Sequence, residues 1–396
     1  MEQQISENLS STTSRSETQF SEPPIPNDLI VEVFSRVPGK SIARFRCVSK
    51  YLASILRRHD FTELFLTKSL TRPRLLFTVK AKGKLLLYST PQPHNPDDNS
   101  CLVATPYHTS FPEYFPSDMC STVCGLVLLQ EYWKIKVRVI CNPVTGQFLT
   151  LPKVLLKEKN LPKVEAKRNR AEIEGMYLGY DPIGKQFKVL CMTSSRDERP
   201  NTHQVLTLKS GKRVWRTIKP KFHFGKNYRM RGEICINGVL YFGSASFGIV
   251  CFDVRSEKFS FISTDKDMEL GYYSLTLFNY KGKLGIHYRD SNNLVCKELV
   301  LWVLEDAGNH KWSKHSYALS PSCSKLVEYN RFVGMTSTGE VVWTVNDQLS
   351  KLFYVSFYSL ESKSFKRVYI QGLEEFKDQF TTPGTFLDYV ENMKFM

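Results

Sequence analysis

The sequence predicts a small all-α module followed by a large all-β domain, and three observations carry that prediction. Apolar residues between Ile25 and Leu66 recur at helical spacing. From Leu75 onward the dominant hydrophobic period drops to two, in short runs rich in Val, Ile, Leu, Tyr and Phe. Those runs recur as units of roughly forty to sixty residues, about six in all and each worth about four strands. This is the pattern of an irregular β-propeller, with a β-sandwich as the alternative that a strand count alone leaves open.

Composition bounds the remaining possibilities. At 396 residues the chain has room for one small module plus one large domain. A hydrophobic content of 42% with 13% aromatics excludes wholesale disorder. No apolar run approaches the roughly 18 to 20 residues of a membrane span. Residues 1–21 are rich in Ser, Thr, Glu and Gln and read as a disordered tail rather than a signal peptide. Ten scattered cysteines without a secretion signal point to a reducing, intracellular setting, nucleus and/or cytoplasm, with thiols used as small apolar residues. The net charge of +15 is spread along the chain, with one dense stretch from Lys153 to Arg170. That spread favours acidic protein partners over nucleic acid, and the basic stretch reads as a solvated loop.

The helical module spans 22–69. Leu29, Ile30, Val33, Phe34 and Val37 form an apolar stripe on a first helix, with Pro26 in its first turn, Asn27 as its cap and Pro38-Gly39 as its stop. Ser41 is the expected cap of a second helix carrying Ile42 and Phe45. Ser49 is that of a third with Tyr51, Leu52, Ile55 and Leu56, and Asp60 that of a fourth with Phe61, Leu64 and Phe65. About forty residues cannot bury so much apolar surface among themselves. Arg36, Lys40, Arg44, Arg46, Lys50, Arg57 and Arg58 occur with no acidic residue from Val33 to His59. A surplus apolar face framed by cations fits an acidic, grooved partner.

This stretch resembles an F-box. The pattern runs through Ile25-Pro26, Asp28-Leu29, Glu32-Val33 and Arg36-Val37-Pro38, then Lys40-Ser41, Arg44-Phe45-Arg46 and Val48-Ser49-Lys50, ending near Phe61. It departs where a Trp commonly follows the Ser-Lys pair, since Tyr51 stands there, and Val33-Phe34 replaces the usual Ile-Leu. The resemblance implies docking on the Skp-type adaptor of an SCF ubiquitin ligase and, through it, a cullin scaffold. The candidate contact set is Ile25, Pro26, Leu29, Ile30, Val33, Phe34, Val37, Pro38, Ile42, Phe45, Val48 and Tyr51. Some of these must pack the module's own helices, and the sequence does not divide them.

The β-domain spans 75–396. One hairpin type puts a Gly on its turn before an apolar strand, at Gly83, Gly125, Gly238, Gly282 and Gly339, with Gly184 filling the longest gap. A second type has a polar turn followed by an aromatic residue, at Phe148, Trp215, Phe259, Trp312 and Phe365. A ring needs closing, and Thr385 to Val390 is the candidate strand to pair with the first unit near Leu75 to Tyr88. The region also resembles the plant F-box-associated interaction domain. The resemblance rests on Cys124-Gly125-Leu126, Asn142-Pro143-x-Thr145-Gly146, Gly179-Tyr180-Asp181-Pro182, Asn237-Gly238-x-Leu240-Tyr241, Phe252-Asp253 and Leu301-Trp302-Val303-Leu304 in that order. It implies a module that holds a client protein for ubiquitination.

No cofactor, metal or catalytic set is expected. Gly179 to Lys185 fits the first seven positions of a phosphate-binding loop, but Gln186 stands where a Ser or Thr is needed, and a strand rather than a helix follows. Cys120 and Cys124 have zinc-ligand spacing with no second pair. Asp265, Asp267 and Glu269, the carboxylates that a propeller hydrolase would need, read as one solvated turn. The five tryptophans read mostly as core, and Tyr228, Arg229, Arg231, Tyr272 and Tyr273 are candidate client contacts. The expected function is a non-catalytic substrate receptor of a ubiquitin ligase with an unknown client. The rival is a basic helical nucleic-acid-binding protein with a propeller interaction domain, which would need a recognition helix with an outward polar face.

Overall fold

Thr71-Arg72-Pro73 separates helices from strands. The computed structural model describes residues 25–81, 84–112, 119–130, 138–154, 172–194, 202–209, 211, 213–218, 230–244, 248–268, 275–288, 297–345, 353–373 and 383–394. The expected tail at 1–21 and nearly all of the basic stretch at 153–170 lie outside them. Four helices come first: α1 (Asn27–Ser35), α2 (Gly39–Val48), α3 (Lys50–Ile55) and α4 (His59–Leu70).

The strands then build six sheets. The strands β1 (Arg74–Ala81) and β2 (Lys84–Pro91) pair, and after β3 (Ser100–Val103), β4 (Thr105–Pro112) returns to β2. The second sheet is β5 (Met119–Val123), β6 (Leu126–Gln130), β7 (Val139–Cys141) and β8 (Phe148–Thr150). The third is β9 (Glu172–Asp181), β10 (Gln186–Ser194), β11 (His203–Leu208) and β12 (Arg216–Ile218). The fourth is β13 (Met230–Ile236), β14 (Val239–Ser244), β15 (Gly248–Asp253) and β16 (Lys258–Ile262). The fifth is β17 (Leu275–Tyr280), β18 (Lys283–Tyr288), β19 (Glu298–Asp306) and β20 (Lys311–Ala318). One more helix, α5 (Pro321–Tyr329), leads into the sixth: β21 (Asn330–Met335), β22 (Val341–Val345), β23 (Tyr354–Ser359) and β24 (Ser364–Gln371).

The last strand, β25 (Gly384–Tyr389), closes the ring, as the sequence predicts. It lies antiparallel to β1, with Arg74 opposite Tyr389, Leu76 opposite Phe386 and Thr78 opposite Gly384. The inner strands β25, β5, β9, β13, β17 and β21 neighbour one another in that cyclic order, so this is a six-bladed β-propeller and not a sandwich. Six apolar clusters fill the gaps between successive blades. Phe77 meets Val342 and Phe357, for example, and Phe278 meets Phe332 and Trp343. Two tryptophans of the aromatic hairpin type also tie one blade to the preceding one: Trp215 Nε1 donates to the Pro152 carbonyl at 2.8 Å and Trp312 Nε1 to that of Ser263 at 2.8 Å.

Turn chemistry explains three glycines of the series. Cys124-Gly125, Asn237-Gly238 and Lys281-Gly282 are two-residue hairpins whose paired φ values are +44° and +84°, +49° and +85°, and +49° and +87°. Positive φ at both positions is the type I′ turn, where Gly carries no Cβ penalty. Gly83 lies outside the described residues; β1 and β2 on either side of it are the second and third strands of the first blade, because that blade's innermost strand is β25 from the far end of the chain.

Two features lay outside the sequence reading. The short strand β3 leaves its own blade and pairs in parallel with β24 as a fifth strand of the sixth blade, covering an edge that would otherwise stay open. The helix α5 interrupts the β-domain; Ser320 caps it by accepting from the Cys323 amide at 3.3 Å, and Pro321 occupies its first turn.

Candidate partner-docking face

The helical module does not stand free. Ile42, Leu56, Phe61 and Phe65 are buried in one cluster with Leu76, Leu85 and Tyr107 of the first blade, Val127, Leu129 and Val144 of the second, and Tyr389 and Met393 from the C-terminal segment. The surplus apolar surface of the helices is thus partly covered within the chain. Polar contacts fix the register. Gly39 begins α2 after Pro38, which has no side chain to cap it, and the Gly39 amide donates instead to Glu391 Oε2 at 2.8 Å. That carboxylate is buried and also accepts from the Tyr107 hydroxyl at 3.1 Å. A Cβ on Gly39 would stand 2.4 Å from Val144 Cγ1, so the helix start fits only as glycine. At the other end of the module, Arg72 donates to the Ser35 carbonyl at 2.7 Å and to that of Arg36, satisfying the open end of α1. On α4, Glu63 accepts from Lys185 at 2.6 Å and from Lys394. Burial raises the Glu63 carboxyl, but the two ammoniums outweigh it and hold it at about 2.

The expected caps hold in part. Ser49 accepts from the Leu52 amide at 3.1 Å, as predicted. Asn27 is the first residue of α1 rather than its cap, and its side-chain oxygen accepts from the Tyr51 hydroxyl, tying α3 to the start of α1. Ser41 lies inside α2, which begins two residues earlier because Glu391 supplies the missing cap. The helix α4 begins at His59, with Asp60 in its first turn accepting from the Phe61 amide at 2.9 Å.

With one side of the module committed to the propeller, the twelve candidate contacts divide. Ile30 and Ile42 are buried, and Phe34 and Val37 pack partly buried against the shared core. Ile25, Pro26, Leu29, Val33, Pro38, Phe45, Val48 and Tyr51 stay exposed, Leu29 at 56%, Val33 at 59% and Val48 at 71%. Leu29 and Val33 lie one turn apart on α1, and Phe45 and Val48 three apart on α2. Phe45 meets Phe34 edge to face at 4.8 Å between centroids, which holds the two helices side by side. Exposed apolar side chains thus remain on α1, α2 and α3 after the module has packed on the propeller.

Comparison with known proteins identifies both parts. Residues 24–64 match the F-box domain, and residues 74–390 match the family described as F-box associated beta propeller domain. The chain is an F-box protein. Among its relatives in Arabidopsis thaliana, Putative F-box protein At1g53370 is 46% identical over 380 residues, covering 93% of this chain and 92% of the relative. F-box protein At1g53790 is 46% identical over 387 residues, covering 94% and 82%. F-box protein DOR is 43% identical over 391 residues, covering 94% of each.

The cations around the F-box are unevenly engaged. Arg36 pairs with Glu32 at 2.6 Å and Arg58 with Asp60 at 2.5 Å, while Arg46 donates to the Leu56 carbonyl and Lys40 to that of Pro106 at 3.3 Å. Among the described residues, Arg44, Lys50 and Arg57 have no acidic partner, and all three are exposed. Arg44 and Lys50 are the immediate neighbours in sequence of Phe45 and Tyr51, so positive charge adjoins the exposed apolar side chains.

The other sequence candidates fall elsewhere. Tyr228, Arg229, Tyr272 and Tyr273 lie outside the described residues, and Arg231 falls on the inner strand β13. Gly184 sits in the β9–β10 turn, where Asp181 Oδ1 accepts from the Ile183 and Gly184 amides at 3.0 Å, the hydrogen bonding of a reverse turn. Burial pushes the Cys124 thiol up to about 12. Among the described residues no group of three metal-ligating side chains occurs, and no helix is long and apolar enough to cross a membrane. Asp265 accepts from the Asp267 amide at 3.0 Å within one turn, and Glu269 lies outside the described residues. Trp302, Trp312 and Trp343 are core, as expected.

Proposed function

We propose that this F-box protein is a substrate receptor of an SCF-type ubiquitin ligase. The F-box docks on a Skp-type adaptor through Ile25, Pro26, Leu29, Val33, Pro38, Phe45, Val48 and Tyr51. Ile30, Phe34, Val37 and Ile42 hold those side chains in place from within the module. Through the adaptor the chain reaches a cullin scaffold, in the nucleus and/or cytoplasm. The propeller holds a client protein, and the chain itself does no covalent chemistry. Its contribution is proximity, since a client held on the assembled ligase presents its lysines at high effective concentration to a charged ubiquitin carrier.

One observation carries the reading. The inward side of the module is satisfied by the propeller, yet large apolar side chains remain outside on three helices, with cations beside them in sequence. Fully burying a side chain such as Leu or Val is worth about 1.5–3 kcal/mol, so leaving several in water favours a partner that covers them. The test is Leu29→Asp with Val33→Asp. Both positions are solvent-facing, so the thermal midpoint of the chain should hold while adaptor co-purification is lost. An undiminished adaptor band from the double variant would overturn the assignment.

A further inference from the structure

On the sixth blade, away from the F-box, a cleft of about 710 Å³ opens between α5 and the strand β24. Ser322, Lys325, Leu326 and Tyr329 line one wall, Phe365 and Arg367 the other, and Tyr354 lies between them. The volume falls within the usual range of ligand sites, about 300–1,000 Å³.

The chemistry of the walls is one-sided. Lys325 and Lys363 are exposed and have no acidic partner among the described residues. The Arg367 guanidinium lies over the Tyr354 ring at 4.6 Å, and among the described residues its buried Nε has no hydrogen-bond partner. Among the described lining residues Asp98 is the one acidic side chain. It is already engaged, Oδ1 accepting from the Arg367 amide at 2.8 Å and Oδ2 from the Asn99 side chain at 3.1 Å. Beside the cations stands an apolar surface: Tyr329 is 64% exposed, and Leu326 and Phe365 are half-buried. Because β3 already occupies the free edge of β24, a ligand here would be read by side chains rather than by strand addition.

We infer that this cleft binds an acidic peptide segment of the client, its carboxylates on Lys325, Lys363 and Arg367 and a neighbouring aromatic or aliphatic side chain on Tyr329 and Phe365. The inference rests on the receptor reading above. Aromatic residues and Arg are the side chains that dominate protein–peptide recognition, and here they sit together in a concave site of matching charge.

Fluorescence polarisation of the full chain with its adaptor, using a labelled Asp-Glu-Phe-Glu-Asp peptide, tests it. Saturable binding is expected, weakening as salt rises. Lys325→Glu with Lys363→Glu, both on the solvated rim, should weaken it about tenfold. A matching Lys-rich peptide should not bind. Identical titrations for wild type and double variant, or no binding by wild type, would overturn the inference, as would displacement of the peptide by inorganic phosphate of equal charge. Adaptor co-purification from the same samples separates the two claims: if peptide binding fails while the adaptor is retained, the cleft assignment falls and the receptor reading stands.

Discussion

The two faces of the F-box carry similar side chains and have opposite fates. Inward, Ile42, Phe61 and Phe65 lie at zero exposure against two propeller blades; outward, Leu29, Val33 and Val48 stand in water. Apolar content therefore does not distinguish a buried face from an exposed one. What distinguishes them is the neighbour each already has. The F-box is small for an independent domain, and its inner face borrows the core of a much larger one. The outer face is the part left over, and its orientation is set by how the inner face is held.

Changes to the inner face should cost stability. The largest effect is expected at Phe65, fully buried, 6.0 Å from the Phe61 ring and stacked under Arg72. Phe65→Ala should destabilise the chain by about 3–5 kcal/mol. Because the cluster is shared, helix and sheet signals should move together to a lower denaturant midpoint. A propeller transition that stays in place while the helical signal is lost would show the F-box to be an appendage, and the comparison of faces would fail.

A smaller effect is expected from the buried carboxylate that joins the two domains. Glu391→Ala leaves the Gly39 amide and the Tyr107 hydroxyl without their acceptor, at a cost of about 1–3 kcal/mol. Faster hydrogen exchange at the Gly39 amide, with little change in the far blades, would locate the loss at the start of α2. Unchanged exchange there would mean that the apolar cluster alone holds the helix.

Much of this was legible in the sequence. The helical stripe, the change of period near Thr71, the glycine turns and the closing strand are local patterns, and each maps onto an element. The division of the twelve candidates was not legible, because Leu29 and Ile30 are adjacent, equally apolar residues of one stripe. Only the tertiary packing around α1 decides that Ile30 is buried and Leu29 is not. The cap of α2 was hidden for the same reason, since Glu391 lies 352 residues away from the amide it accepts. The β3 exchange depends on which blade edge is open in space. For α5 a signal was present in Ser320-Pro321, a cap followed by a first-turn proline, but it was masked by the period-two pattern around it.

The smallest expected effect concerns the ionic end of the inner face. Glu63 accepts from Lys185 on the third blade and from Lys394 in the C-terminal segment, which holds its carboxyl at about 2 against an ordinary 4.5. The folded pKa is depressed, so the contribution is fully present above pH 4.5 and lost as pH falls toward 2. Glu63→Gln removes the titrating group. The gap in stability between wild type and this variant should therefore be constant at neutral pH and close on acidification through that window. Because Glu63 and its lysines are partly solvated, the gap should also shrink in high salt, unlike the losses at Phe65 and Glu391. A gap that persists unchanged at acid pH would assign the contact to packing of the glutamate stem, and the α4 end of the F-box would then be held by apolar burial alone.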